Sequence, residues 1–600
     1  MEVNIVYISE VRNLKLVKNS LNKSSLVGMD TETYGAKKDD GLDPLVGKIR
    51  LLQIDTHDKT YVLDMQRLPK GAVREFLAPL MYDSKTVKIF HNAKFDLKFL
   101  TTYFDLDLRQ MRSIFCTYVG TRLVKGGHPL PNRQQYPAKL SNLSLDYLDL
   151  SLDKSNQLYD WGGNIYKEQI VYSALDAAVL PPLYRVVCDG IVYNHLQTAA
   201  LLEMNVVPVV ARQELVGIKL DKKVWQDLAE RDKEQLYLIE QELRNKYGFG
   251  DVNMNSNPQM CKMLSDITGL HVTSRSKDNI AVLIEMYEDK ADLFGKRRDY
   301  RPALQKYLEY ADFGKDVSTY GFSFLNHIHP VTGRIHSNFR QNDTNTQRFS
   351  SSSPNLQNIP RDSDRRAAFI PGDGKKFVRF DYSAIELRIL AQFTKDELFC
   401  RAFADRIDPH RLNAATQYGI PFDEVTDKQR QDIKPINFGV PYGLGKDGLA
   451  QKLGIEVEDA AGRLRKYYDD HPWITDWHNS QFRYMKLYDC VRTPTGRLRA
   501  VPNWRADTQS EFEAKQAAKN FPIQSACADI VKIAMVRIFH KLPEAELVIS
   551  VHDECMYEVD EKTADDLAPA IKEEMRLAAK EVVPDIDIEL EGGVAECWKK

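Results

Sequence analysis

Two stretches far apart in the chain constrain its fold most, because the acids they carry need each other. Lys375 to Phe380 alternates as a strand does, and Ser383 to Phe393 has helical spacing. In Phe380-Asp381-Tyr382-Ser383-Ala384-Ile385-Glu386-Leu387-Arg388, Asp381 therefore stands where a strand ends, projecting beyond the sheet. Hard divalent ions take several oxygen ligands, so a single carboxylate does not fix one. The second acid comes much later. Leu547 to Val551 and Cys555 to Val559 are β-like runs separated only by His552-Asp553-Glu554, a hairpin with acids at its tip. Asp381 and Asp553 are expected to meet at one end of a small sheet and to hold metal ions there.

At 600 residues the chain is too long for one core and suggests about three to five domains. Its 43% hydrophobic and 28% charged residues are those of an ordinary soluble protein. A net charge of −3 gives no global sign of a nucleic-acid partner, so basic residues that bind DNA must be clustered. The eight cysteines are scattered without a C-x-x-C pair, which fits reduced thiols in a cytosolic protein. Glu2 stands where a signal peptide carries positive charge, and no uninterrupted apolar stretch approaches the roughly 18 residues needed to span a bilayer. Export and membrane insertion are not expected. There is no internal repeat or low-complexity tail.

In the first third, Leu26 to Met29, Ile49 to Ile54, Thr60 to Leu63 and Val87 to Phe90 read as strands, and Lys167 to Tyr184 as a helix. Alternate acids on a strand, Asp30 and Glu32, point to one side. With Asp96 and Asp176 they make a four-carboxylate set able to hold two divalent ions. A lone D-x-E is more often an exposed strand end or a capping acid. The set is more specific: Asp30-x-Glu32, Asn92-x-x-x-Asp96 and Tyr172-x-x-x-Asp176 resemble, in order and context, the three exonuclease motifs of proofreading DNA polymerases. That resemblance implies a ribonuclease-H-like sheet that removes a 3′-terminal nucleotide, with Tyr172 orienting the water or the scissile phosphate.

Leu202 to Tyr247 is helical in pattern, with Val206-Val207-Pro208 marking a break. Gly248 to Pro258 reads as a loop, and Asp278 to Tyr310 as helical again. This is a solvated helical bundle in which Arg275, Lys277, Lys296, Arg297, Arg298 and Arg301 are candidates for gripping a duplex backbone. The stretch from Gly333 through Arg348 to Pro354-Asn355-Leu356-Gln357-Asn358-Ile359-Pro360 is dense in neutral hydrogen-bonding side chains. Such groups suit the minor groove, where acceptors recur at similar positions; a polar surface loop is the plainer alternative. It resembles the opening of the palm in family A DNA polymerases, which implies that Arg348 contacts the primer terminus. Gln347 departs from that family, standing where a glycine is usual.

Arg430, Lys434, Phe438 and Tyr442 are spaced by four and form one stripe on a helix. Two cations followed by two aromatic rings offer charge for phosphates and flat surface for sugar and base; a chance amphipathic helix is the competing reading. Pro435 and Pro441 fall inside this run, each costing about 3 kcal/mol in a regular interior, so the helix is expected to kink or start late. The four stripe positions match the fingers helix of family A. Asn520-Phe521-Pro522-Ile523-Gln524, ahead of a helical run from Ala526 to Phe539, resembles the segment whose amides contact template and primer, and Val551-His552-Asp553-Glu554 resembles the third polymerase motif.

The chain thus resembles a family A DNA polymerase of the bacterial polymerase I type, in a phage-like layout without a preceding 5′ nuclease domain. The resemblance implies a multidomain α/β and α+β fold: an exonuclease domain over 1–190, thumb and connecting helices over 191–335, palm over 336–405, fingers over 406–495 and the rest of the palm over 496–600. It implies two Mg²⁺ ions at each site, with Mn²⁺ able to substitute, held by Asp381, Asp553 and the Tyr382 carbonyl and by Asp30, Glu32, Asp96 and Asp176. Arg430, Lys434 and His410 would hold dNTP phosphates, with Lys434 donating a proton to pyrophosphate. Glu386 and Tyr442 would exclude a 2′-hydroxyl, and Phe438 implies discrimination against dideoxynucleotides. Arg348, Asn355, Gln357, Asn358, Asn520, Gln524 and His552 would touch DNA. A monomer acting on primer-template DNA and dNTPs, in the cytoplasm of a bacterial or phage-infected cell or in an organelle, is expected; accessory proteins are not readable. The rivals are an exonuclease whose C-terminal part only binds duplex, a decayed binding module, and an RNA polymerase. Decay would have removed at least one of the named acids or Lys434, and all are present; Glu386 and the proofreading set disfavour the RNA polymerase.

Overall fold

The computed structural model describes residues 3–37, 39–56, 58–126, 137–153, 160–290, 299–361 and 364–599. These fall into two compact units, one of residues 1–217, 337–358 and 371–596, the other of 218–336, 359–370 and 597–600. Lys296, Arg297 and Arg298 lie outside the described residues.

The first unit begins with a six-stranded sheet of β1 (Ile5–Ile8), β2 (Leu26–Tyr34), β3 (Lys48–Asp55), β4 (Thr60–Asp64), β5 (Val87–Phe90) and β6 (Ile114–Cys116), in the order β1-β4-β3-β2-β5-β6. β3 and β4 are buried along nearly their whole length, the pattern of strands covered on both faces. All four predicted strands are present, and β2 runs on to Tyr34, so Asp30 and Glu32 lie on the strand as expected. Helix α1 (Lys94–Phe104) carries Asp96. The expected single helix from Lys167 is two, α2 (Lys167–Ala178) and α3 (Leu180–Tyr193), divided at Val179 with prolines in the first turn of α3. Proline is tolerated there because its missing N–H would have no helical partner anyway. Together residues 167–193 match the length and mean hydropathy of a membrane span, but charged residues interrupt them and most of the span is buried inside the fold.

Helix α4 (Gln197–Val216) is continuous through Pro208. The break expected at Val206-Val207-Pro208 comes instead at Gly217, with φ of 61°. Val206, Val207, Val209 and Val210 are each at most 1% exposed. Burial of about 1.5–3 kcal/mol per such side chain outweighs the roughly 3 kcal/mol proline cost.

The second unit pairs β7 (Ile218–Leu220) with β8 (Arg334–Ile335) and with β9 (Phe369–Ile370). Its helices α5 (Lys222–Asn245) and α6 (Arg301–Tyr320) enclose Leu243, Phe249, Met260, Leu264, Leu304 and Tyr307. The predicted loop before Pro258 is followed by an unforeseen helix, Asn257–Thr268. Lys277 pairs with Asp312, Arg301 with Asp299 at 2.7 Å, and Arg275 donates to the Met254 carbonyl and Tyr307. These three candidate DNA grips thus have protein partners of their own.

In the rest of the first unit, β10 (Lys375–Tyr382), β11 (Glu546–Val551), β12 (Glu554–Asp560) and β13 (Leu590–Ala595) form an antiparallel sheet in the order β11-β12-β10-β13. Central β10 extends past Phe380, and Asp381 is in register with Glu554 on one side and Glu591 on the other. It lies inside the sheet rather than beyond it. Among the helices that follow β10 are α7 (Ile385–Thr394), α8 (Pro409–Tyr418) and α9 (Asp427–Gly439). The long α10 (Thr508–Lys541) starts well before Ala526 and absorbs Pro522, so Asn520 and Gln524 sit within it, one turn apart.

Candidate active sites

Close packing of α2 on β2 builds the first centre. A Cβ on Gly28 would lie 2.4 Å from the Ala177 carbonyl oxygen, so only glycine lets the helix bearing Asp176 settle against the strand bearing Asp30. Asp30, Glu32 and Asp176 each bring a carboxylate oxygen within 4.8 Å of the other two. Asp96 lines the same cleft, of about 950 Å³, but stands outside this trio and accepts a bond from the Thr31 hydroxyl at 2.7 Å. Burial pushes the Asp96 carboxyl up to about 7, the Thr31 bond offsetting only part of the effect. Burial, then the charges of Asp176, Glu32 and Asp30, push the Tyr172 hydroxyl far above its ordinary range. Tyr172 is therefore a neutral hydrogen-bond donor and not a base. Clustered carboxylates repel one another, and this all-oxygen set fits a hard divalent cation.

At the second centre, Tyr382 N–H donates to the Asp553 carbonyl at 3.3 Å, which sets the hairpin tip beside Asp381. Burial, then Glu554, Asp553 and Asp381, push the Cys555 thiol up to about 12. Asp381, Glu554 in register with it, and Asp553 at the hairpin tip thus all act on one buried thiol, and carboxylate oxygens are the ligands a hard cation takes. The Tyr382 hydroxyl donates to the Met575 carbonyl at 2.7 Å, leaving a ligand role to its backbone.

The stripe begins on α9, whose first turn is closed by a capping box of Thr426 and Gln429. The helix therefore starts firmly at Asp427 and passes through Pro435, and the expected late start is not found. Pro441 falls in a separate 3₁₀ turn, Val440–Tyr442, so Tyr442 follows α9 rather than belonging to it. Arg430 pairs with Asp408. Burial works against the Asp408 charge, but Arg430 and the His410 and Arg411 N–H groups hold its carboxyl below the usual range. Asn413 donates to Asn437, which donates to His410 Nδ1 at 2.9 Å, so the ring proton sits on Nε2. Burial pushes His410 down to about 4, making it a neutral donor rather than a third cation.

Glu386 pairs with Arg348. Burial and the neighbouring Glu386 charge push the Tyr442 hydroxyl well above its ordinary range, which puts the two predicted 2′-hydroxyl blockers side by side. Arg348, Gln357 and His552 line one small cavity, with Gln357 donating to the Ser550 carbonyl at 3.1 Å. Asn355 and Asn358 are exposed outside that cavity, and Asn355 Oδ1 accepts from Ser351 and from Gln357 N–H.

Residues 222–600 match the DNA polymerase family A, and residues 5–186 match a 3′-5′ exonuclease family. The chain belongs to family A of the DNA polymerases. It is 34% identical over 397 residues to the thermostable DNA polymerase I of Thermus aquaticus, covering 65% of this chain and 47% of that one. To DNA polymerase I of Pseudomonas aeruginosa it is 30% identical over 562 residues, 89% of this chain and 58% of that one. The chain thus spans about half the length of the curated relatives it matches. A solved structure, the POL domain of Pol1 from M. smegmatis in complex with DNA primer-template and dNTP, shares the fold with a TM-score of 0.82 over 99% of each chain at 24% identity.

Within this family A member, sequence reasoning missed Asp408, Asn437 and Cys527 as neighbours of the expected site residues. Asp408 precedes a proline at a helix start, an N-cap signal that was available. Cys527, buried beside Arg348 and Glu386, carried no pattern at all.

Proposed function

We propose that the chain performs template-directed DNA synthesis from dNTPs and removes 3′-terminal nucleotides at a second site in the same compact unit. What carries the reading is the convergence of Arg348, Glu386 and Tyr442 beside a sheet end holding Asp381, Asp553 and Glu554. Divalent ions, Mg²⁺ or Mn²⁺, bound by Asp381 and Asp553 and by Asp30, Glu32, Asp96 and Asp176, would lower the pKa of the attacking hydroxyl or water and stabilise charge on the phosphate. The chain's own groups do the rest. Arg430 and Lys434 receive the triphosphate, His410 donates from Nε2, and Lys434 supplies a proton to pyrophosphate. Phe438 and Tyr442 flank sugar and base, Glu386 fills the space of a 2′-hydroxyl, and Arg348, Gln357, His552, Asn520 and Gln524 face the duplex. Tyr172 donates a hydrogen bond at the excised end.

Primer-template DNA and dNTPs are the inferred partners, with a monomer in a bacterial or phage-infected cytoplasm as the working unit. The test is primer extension and 3′ digestion by the parent, by Asp553→Ala and by Asp30→Ala/Glu32→Ala. Synthesis is expected to fall at least about 10³-fold in the first variant and digestion by as much in the second, each with the other activity kept. A parent that adds no nucleotide overturns the polymerase reading. Digestion undiminished in the double variant overturns the nuclease site.

A further inference from the structure

Gln347, where a family resemblance leads one to expect glycine, keeps the left-handed backbone that glycine favours, with φ of 57°, and is only 2% exposed. Each of its polar groups is bonded. The N–H donates to the Thr344 carbonyl at 2.9 Å and the carbonyl accepts from Lys532 Nζ at 2.9 Å. In the side chain, Nε2 donates to the Leu498 carbonyl at 2.9 Å and Oε1 accepts from Arg497 at 3.0 Å.

Both cations belong to a fully buried set. Arg497 pairs with Asp529 and with Glu203, each at 2.5 Å, and Lys532 pairs with Glu203 at 2.6 Å. Gln341 donates to the other Glu203 oxygen at 2.6 Å. Two cations and two carboxylates balance, and burying them is tolerable only while such bonds hold them in one arrangement. Lys532 also sits 5.4 Å over the Phe349 ring. The residues on either side of Arg348 are thus tied to the same lysine.

We propose that Gln347 is a positioning residue that holds Arg348 in one setting against the terminal primer base pair and so sharpens discrimination against a mispaired 3′ end. The inference rests on the proposed primer contact of Arg348. Glycine would supply the backbone angle without the tether, and the gain from glutamine is stiffness at the checking position.

The test is single-nucleotide extension of matched and mispaired termini, with a phosphorothioate at the last primer linkage to slow excision, by the parent, Gln347→Gly, Gln347→Asn and Arg348→Ala. Glycine and asparagine both accept the left-handed angle, and asparagine is too short to reach Arg497 and Leu498 together. Both Gln347 variants are expected to extend matched ends within about 2-fold of the parent and mispaired ends about 5- to 10-fold faster, a loss of discrimination worth about 1 kcal/mol. Discrimination equal to the parent's overturns the proposal. So does an equal loss on both termini, the signature of a merely structural residue. Matched extension unchanged in Arg348→Ala overturns the underlying primer contact instead, whatever the Gln347 variants do.

Discussion

The two proposed centres use the same kinds of acid in different electrostatic settings. At the first, Asp30, Glu32 and Asp176 crowd together, and Asp96 beside them is pushed towards its neutral form. Around the second, acids are already matched by cations: Glu386 by Arg348, Asp408 by Arg430, Glu203 and Asp529 by Lys532 and Arg497. One centre waits for positive charge from outside. The other keeps Asp381, Asp553 and Glu554 for such a charge but already pairs Arg430 with Asp408, so in the proposed reading a triphosphate would exchange with that carboxylate.

If the nuclease cluster depends on how closely α2 approaches β2, Gly28→Ala should break it most severely. The added carbon would meet the Ala177 carbonyl and the Pro181 ring, pushing Asp176 away from Asp30 and Glu32. Digestion of 3′ ends should fall about 10²-fold, as misplacement of about 1 Å can cost, while primer extension stays near the parental rate. Equal loss of both activities would mean that the two centres are not mechanically separate. The exchange at the polymerase centre is tested by Asp408→Asn. The amide keeps the N-cap of α8 but frees Arg430. For a partly buried pair worth about 1 kcal/mol, KM for dNTP should fall about 5-fold with kcat little changed. A rise in KM would instead make Asp408 the guide of Arg430 rather than its competitor.

The centres also differed in how far they could be read from sequence. The acids of the first centre sit on strands and helices with clear periodicity; hidden were their tightness, set by Gly28 against Ala177, and the place of Asp96 outside the close trio. In the polymerase region the spacing placed Arg430, Lys434 and Phe438 on one helix, but it missed that Tyr442 falls in a separate 3₁₀ turn and that Asp381 lies inside the sheet. Helix continuity through Pro208 and Pro522 was not legible either, since local propensity argues for a break and only tertiary burial overrules it. Nor did any pattern announce that His410 is neutral: that follows from burial and from the charges of Arg430 and Lys434 on another helix.

His410 gives the smallest and cleanest test of the contrast. Its folded pKa of about 4 lies below the ordinary value of 6.5. The unfolded chain therefore binds the extra proton first as pH falls. Stability from the neutral ring is complete above pH 6.5 and is lost between 6.5 and 4. Melting followed from pH 7 to 4.5 should show the parent losing a few degrees more than His410→Gln, with His478, also pushed down by burial to about 4, supplying a residual slope in both. In the same window of function, KM for dNTP should show no inflection between pH 6 and 8, because a ring that is already neutral has no charge to lose. An upward break in KM near 6.5 would mean that a protonated imidazole holds the phosphates. In that case the polymerase centre, like the nuclease centre, would be relying on a charge that its resting structure does not contain.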